Sequence, residues 1–136
     1  MSILLTVFGI FAGTALYKRY IPVKGTPCLD GLESCNRDEN MVLLDVRDFQ
    51  ESSADPVEGS LNIPLAYLKR YSSDIPNKRV VLIADSFILA NMATRFLRLR
   101  KFNVAGVHFK GMPKTDKKRS CCQWQDIALT PKKQIN

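Results

Sequence analysis

Four cysteines give this chain of 136 residues its widest choice of chemistry. A thiolate can bind a metal, form a disulfide or act as a nucleophile. The four are Cys28, Cys35, Cys121 and Cys122. The spacing of the first two matches no common zinc-binding motif, and adjacent cysteines rarely supply two ligands to one tetrahedral zinc ion. The pattern therefore predicts no metal site, and we expect reduced thiols in a cytosolic domain that holds no cofactor.

Two polar residues, Asp85 and Ser86, stand at a junction where ligands often bind. They follow the apolar, β-branched run of residues 80–84, which is typical of a buried parallel strand. Either side chain can accept hydrogen bonds from the unpaired N–H groups that open a helix. Apolar residues then recur at helical spacing, and the segment ends in cations near residue 101. This predicts a strand, a tight turn and a helix, with a ligand crevice beyond the strand.

The rest of the chain supplies the elements that would surround this junction. Further segments are predicted as strands at residues 41–46, 60–62 and 103–109 and as helical at residues 49–53 and 65–72. Strands that alternate with helices favour an α/β domain whose parallel sheet is covered on both faces.

Several motifs in this order resemble a rhodanese-like domain over residues 40–111. They are LLDVR at residues 43–47, GSLNIPL at 59–65, VVLIA at 80–84 and KFNV at 101–104. The resemblance implies a three-layer domain with a central parallel sheet, and it relates the chain to sulfurtransferases. In that family the strand at residues 80–84 ends in a catalytic cysteine, and a loop rich in Gly, Ser and Arg follows it.

The chain departs from the family at this loop. Ala84 stands at the cysteine position and cannot act as a nucleophile. The residues after it include no glycine or arginine to form an anion cradle; they are Asp85, Ser86, Phe87, Ile88 and Leu89. We therefore expect a degenerate active-site loop and no catalytic residue in it.

Two neighbouring residues and two distant thiols complete the candidate site. Asp45 and Arg47 correspond to family residues beside the loop, where they could shape a ligand cleft. The favoured interpretation is structural: Asp45 accepts backbone N–H bonds and Arg47 pairs with an acid. A displaced thiol, Cys121 or Cys122, would be the nucleophile in an enzymatic alternative. His108 is the one histidine and has no partner in its motif, so we expect a structural role.

The N-terminal segment carries no charge between Ile3 and Tyr17 and is followed by Lys18 and Arg19. A helix of these residues spans about 22 Å, and its flanks extend it to a marginal bilayer span. A cleaved signal peptide would want a preceding basic region, and a buried helix would show a polar face. We therefore predict a single-pass transmembrane anchor at residues 1–21, in the cell membrane with the following domain cytoplasmic. Gly9 and Gly13 form a GxxxG pattern that could pair two such helices.

The predicted order is the anchor, a linker at residues 22–28, the rhodanese-like domain at 29–111 and a basic tail at 112–136. The net charge is +7, and residues 110–136 carry seven cations against two acids. No nucleic-acid recognition motif is present, so nucleic acid is not an expected partner. The leading hypothesis is a membrane-anchored binding or scaffolding module for a protein partner. The alternative is a thiosulfate or persulfide sulfurtransferase that uses Cys121 or Cys122.

Overall fold

Four short strands form a sheet in the computed structural model, which describes residues 1–20, 26–29, 32, 39–113 and 115–116. The strands are β1 (Met41–Asp45), β2 (Ser60–Asn62), β3 (Arg79–Ala84) and β4 (Val104–Phe109). Their order is β2-β1-β3-β4 and every neighbouring pair is parallel. The predicted α/β class with a central parallel sheet is confirmed.

The helices of the described residues connect and cover these strands. They are α1 (Ser2–Tyr20), α2 (Phe49–Ala54), α3 (Leu65–Tyr71) with a 3₁₀ turn at Ser72–Asp74, and α4 (Phe87–Leu99). Parallel strands need such crossovers, because a tight hairpin can join only antiparallel neighbours. Each strand thus delivers its carboxyl end to the same edge of the sheet.

The central strand β3 separates two apolar clusters. Its side chains alternate between the faces of the sheet, and five of its six residues are buried. The larger cluster lies under α3 and α4 and includes Leu44, Leu68, Val80, Leu82, Ala93 and Leu97. The smaller one lies on the other face and joins Leu43, Val81 and Ile83 to the partly buried Leu29, Leu32 and Val57. Burial on both faces explains why the strand sequence is apolar without interruption.

Residues 26–29 extend the sheet along the free edge of β4. Cys28 forms a bridge with Val107, and Leu29 N donates to Val107 O over 2.7 Å. This approach depends on Gly106, because a Cβ there would lie 2.8 Å from the Leu29 side chain. The predicted linker reached residue 28, whereas the structure places Cys28 in contact with the sheet.

Helix α1 exposes apolar side chains around its circumference and touches the domain through its C-terminal end. Among the described residues no helix combines the length and hydropathy needed to cross a bilayer, so the predicted transmembrane helix is not supported. The last turn of α1 includes the charged Lys18 and Arg19. No heavy atom lies within 4 Å of a Cβ built at Gly9 or Gly13. Pairing of two helices through these glycines stays a prediction.

Helix α4 ends at Leu99, two residues before the cation that marks its predicted end, Lys101. Phe102 N donates to Leu97 O and Lys101 N donates to Arg98 O, a pattern that closes the helix by a left-handed residue. That residue is Lys101, with φ at 65°. Glycine is the usual choice there, because a side chain makes left-handed backbone unfavourable.

We therefore expect Lys101→Gly to raise the free energy of unfolding by about 1 kcal/mol. Urea denaturation measures the change. Lys101→Ala removes the same charge without relieving the backbone and serves as the control. A gain in the alanine variant equal to that in the glycine variant would contradict the explanation.

Candidate functional site

The carboxyl ends of the parallel strands bring the predicted site residues to one edge of the sheet. Asp45 ends β1, Asn62 ends β2 and Ala84 ends β3. Strand pairing sets Asp45 beside both neighbours, opposite Asn62 on β2 and Ile83 on β3. The crevice beyond such an edge is where ligands bind in open α/β sheets.

Asp45 and Arg47 form a buried ion pair at this edge. Arg47 Nη2 lies 2.7 Å from Asp45 Oδ2, and Arg47 Nε lies 2.9 Å from Asp45 Oδ1. The two side chains are 1% and 0% exposed. The backbone N–H of Arg47 also donates to Asp45 Oδ1, over 3.1 Å. The Arg47 guanidinium thus donates two parallel hydrogen bonds to the Asp45 carboxylate, which is the strong geometry for this pair.

The ion pair holds α2 and the residue after it against the end of β1, and Asn62 of β2 bonds the backbone at the same place. Ser52 Oγ donates to Asp45 Oδ2 over 3.1 Å, and Arg47 Nη2 donates to the carbonyl of Asp55 over 2.9 Å. Asn62 Nδ2 donates to the carbonyls of both Asp45 and Arg47, at 3.0 and 3.2 Å. Sequence reasoning assigned no role to Ser52 or Asn62. The signal for Asn62 was its place in the NIP motif, at the end of a predicted strand.

Charge around Arg47 keeps it protonated. The hydrogen bond to Asp45 raises the pKa of Arg47, burial opposes this, and the charges of Asp45, Asp55 and Asp85 raise it further. A folded-state pKa above the ordinary arginine value means that this stabilisation is complete at neutral pH and is lost only in strong alkali. Arg47 is therefore a fixed cation that is committed to internal acids.

The segment after β3 is the tight turn that the residue pattern predicts, and it is shorter than the loop that the family resemblance implies. Only Asp85 and Ser86 lie between the strand and α4, and residues 87–89 form the first helical turn. Ser86 is the N-cap: its Oγ accepts from Leu89 N over 3.3 Å, and its carbonyl accepts from Ala90 N. The second bond is the first regular bond of the helix, and the first satisfies one of the N–H groups that a helix start leaves unpaired.

The side chains of this segment close the region around the strand end. Ala84 is fully buried, and Phe87 and Leu89 are partly buried against the larger apolar cluster. A Cβ built at Gly111 would lie 3.9 Å from Asp85 Cβ and 4.0 Å from Arg47 Nη1, so both groups lie near Gly111, shortly after β4. The structure therefore brings the predicted residues together around the methyl group of Ala84 and the carboxyl group of Asp85.

Lys110 covers the outer side of this arrangement. Its Nζ lies 3.1 Å from Asp55 Oδ1 and 3.3 Å from the carbonyl of Pro56. Its backbone N–H donates to the carbonyl of Ala84. The contact is partly exposed, and it joins the end of β4 to the segment after α2.

The remaining chemistry-bearing side chains lie elsewhere. His108 Nδ1 is 2.8 Å from the carbonyl of Leu29, so this nitrogen carries the proton in a structural hydrogen bond. In the part of the chain that the structure describes, no three His, Cys, Asp or Glu residues cluster as a metal site would require.

The prediction of reduced thiols is wrong for Cys28, which is buried and takes part in a disulfide. Its position against β4 results from long-range strand pairing that cysteine spacing does not encode. Cys35, Cys121 and Cys122 lie outside the described residues, and so does any approach of the last two to residues 84–89.

Breaking the buried pair from one side should be costly. Arg47→Met leaves the Asp45 carboxylate buried without its cation, and we expect a loss of about 3–5 kcal/mol in the free energy of unfolding. The double variant Asp45→Leu/Arg47→Met should be less destabilised than the sum of its single changes. The control is Lys110→Met, which breaks the partly exposed pair and should cost no more than about 1 kcal/mol. Strictly additive effects at Asp45 and Arg47 would contradict the coupling.

Comparison with family models finds no match to this chain, and comparison with curated proteins finds none either. Solved structures do match. A rhodanese-related protein from Thermoplasma volcanium superposes with a TM-score of 0.53 at 20% identity, over 64% of this chain and 95% of the other. The single-domain sulfurtransferase RDL2 of Saccharomyces cerevisiae superposes with a TM-score of 0.52 at 14% identity, over 76% and 96%. At these identities the likeness speaks for the fold alone, and the fold of this chain is rhodanese-like.

Proposed function

We propose that this chain is a binding or scaffolding module with a rhodanese-like fold that carries out no sulfur transfer. The observation that carries the proposal is the buried methyl group of Ala84 at the end of β3, where the resemblance puts the family's catalytic cysteine. Sulfur transfer needs a thiolate that attacks the donor and then holds the transferred sulfur. An alanine offers neither a nucleophile nor a site for a persulfide.

The surroundings of Ala84 support the same conclusion. An anionic donor requires positive charge or free N–H groups, and here the next residue is the acidic Asp85. The Ser86 cap uses the N–H group of Leu89, and Arg47 is paired with Asp45. One N–H group of the helix start and the neighbouring arginine are thus engaged within the chain and are not available to an anion.

Sulfur transfer tests this proposal directly. We expect intact mass after incubation with thiosulfate to show no added sulfur, and thiocyanate formation from thiosulfate and cyanide to stay at background. A gain of one sulfur on any cysteine would overturn the proposal. Peptide mapping to Cys121 or Cys122 would identify the displaced-thiol enzyme instead.

Restoring the cysteine alone should not restore activity. In Ala84→Cys the neighbouring Asp85 disfavours the thiolate by like-charge repulsion, and Ser86 still occupies the N–H of Leu89. Replacement of residues 84–89 by Cys-Arg-Ser-Gly-Asn-Arg supplies the cysteine, the glycine and the arginines together, and we expect measurable turnover from this variant. Thiocyanate formation compares the two, and robust turnover by the single substitution would show that an anion cradle persists.

We further propose that α1 inserts its apolar part, residues 3–16, into a membrane and leaves Lys18 and Arg19 at the surface. The support is that α1 exposes large apolar side chains on every face, among them Leu4 at 73%, Phe8 at 71% and Phe11 at 73%. Water does not favour an exposed apolar surface of this kind, and a bilayer removes it.

Membrane fractionation and protease protection test this second proposal. We expect the chain to remain in the membrane pellet after alkaline carbonate extraction, whereas Leu4→Glu/Phe8→Glu should release it because charges are costly in hydrocarbon. The cations after α1 favour a cytoplasmic domain, so protease added outside intact cells should leave the domain uncut. Digestion from outside would reverse the proposed orientation.

A further inference from the structure

A cavity of about 600 Å³ lies where the end of α1 meets α4, and its lining includes neither Asp45, Arg47 nor any of residues 84–89. Its volume is in the range of ordinary small-molecule sites. Most of its lining is apolar and comes from three helices: Leu16 of α1, Leu65 of α3, and Met92, Phe96 and Leu99 of α4. The candidate site at the strand ends does not account for this cavity.

The junction that forms this cavity is held by specific contacts. Asn91 is fully buried, and its Nδ2 donates to the carbonyls of Lys18 and Arg19 at 3.1 and 2.7 Å. The last carbonyls of a helix have no partner within the helix, so this amide caps the end of α1. The Arg95 guanidinium also lies 5.8 Å from the centre of the Tyr17 ring. The cavity therefore lies beside a contact between α1 and α4 that these interactions hold together.

The polar part of the lining is cationic. Lys18, Arg19 and Arg95 contribute to it, and the described residues around the cavity include no Asp or Glu. Within the part of the chain that the structure describes, neither Lys18 nor Arg19 takes part in an ion pair. The site thus combines an apolar groove with positive charge at one end, which complements an amphiphile that carries a negative head.

The groove is open to solvent at residues of α4 that lie next to α1. Met92 is 42% exposed and Leu99 is 83% exposed, and both line the cavity. They continue the apolar surface of α1 onto the domain, past the cations of its last turn. An apolar surface that is continuous with a membrane-inserting helix and edged by cations is the arrangement of an interfacial lipid contact.

We propose that this groove binds one anionic phospholipid of the membrane into which α1 inserts. The phosphate lies at Lys18 and Arg19, and an acyl chain runs along Phe96 and Leu99. The inference rests on the proposed membrane insertion of α1 and is independent of the absence of sulfur transfer. It gives the helix junction a role in choosing the lipid at the membrane surface.

Quenching by brominated lipids tests the site in the full chain. Leu99→Trp places a fluorophore at the exposed end of the groove, in a background where Trp124→Phe removes the native tryptophan. The protein is reconstituted into phosphatidylcholine vesicles that contain a minor fraction of either brominated phosphatidylglycerol or brominated phosphatidylcholine. We expect clearly stronger quenching by the brominated phosphatidylglycerol. Equal quenching by the two lipids would overturn the proposal.

A matched pair of charge variants assigns the preference to the groove. Lys18→Gln/Arg19→Gln should weaken the preference for phosphatidylglycerol by roughly fivefold for each cation removed. Lys78→Gln/Arg79→Gln removes the same charge at the amino edge of the sheet and should leave the preference unchanged. An equal loss in both variants would overturn the site in favour of non-specific attraction.

Two further outcomes separate this proposal from its foundation. Soluble glycerol phosphate should not compete with the lipid, because the acyl chain contributes to binding; effective competition would overturn the lipid assignment in favour of a phosphate site. Vesicle flotation of the same samples reports insertion itself. Flotation without lipid preference would overturn the site alone, and failure to float with any vesicle would overturn the membrane insertion of α1 together with it.

Discussion

The buried pair of Asp45 and Arg47 is the interaction on which the carboxyl edge of the sheet depends. Two charges without contact to water are tolerable only when their hydrogen-bonding groups are satisfied. Ser52, the carbonyl of Asp55 and the backbone N–H of Arg47 meet this requirement. The pair therefore draws the end of α2 onto β1, while Asn62 holds β2 alongside. The edge that serves chemistry in many α/β proteins is here occupied by internal bonds.

Internal bonds also occupy the junction after β3. An anion cradle needs backbone N–H groups that stay free until a ligand arrives. Ser86 satisfies one of them, the N–H of Leu89, as an ordinary N-cap does, and Phe87 and Leu89 pack onto the core. The backbone here thus follows a regular helix start and not the strained, open loop that many active sites use. The buried Ala84 and the regular start of α4 are parts of one local structure.

The junction of α1 and α4 has a cap made within the chain but leaves apolar surface exposed. The carbonyls that end α1 are capped by Asn91, yet the apolar side chains of α1 remain exposed. A cap of this kind orients a helix relative to a domain without burying the helix. The described residues thus make many of their internal bonds at the carboxyl edge of the sheet and leave the junction of α1 and α4 as the more accessible apolar groove.

The sequence by itself determined the elements of the sheet. The apolar run before Asp85, the β-branched segments and the helical spacing after Ser86 are local signals, and the strands and α4 lie within a few residues of their predicted bounds. The absence of a thiol at Ala84 is likewise a fact of sequence. Tertiary structure decided which groups meet. Ser52 and Asn62 reach Asp45, Cys28 reaches β4, and Asn91 reaches Lys18 across 73 residues. Such contacts depend on how strands and helices pack, and residue spacing along the chain carries no measure of those distances.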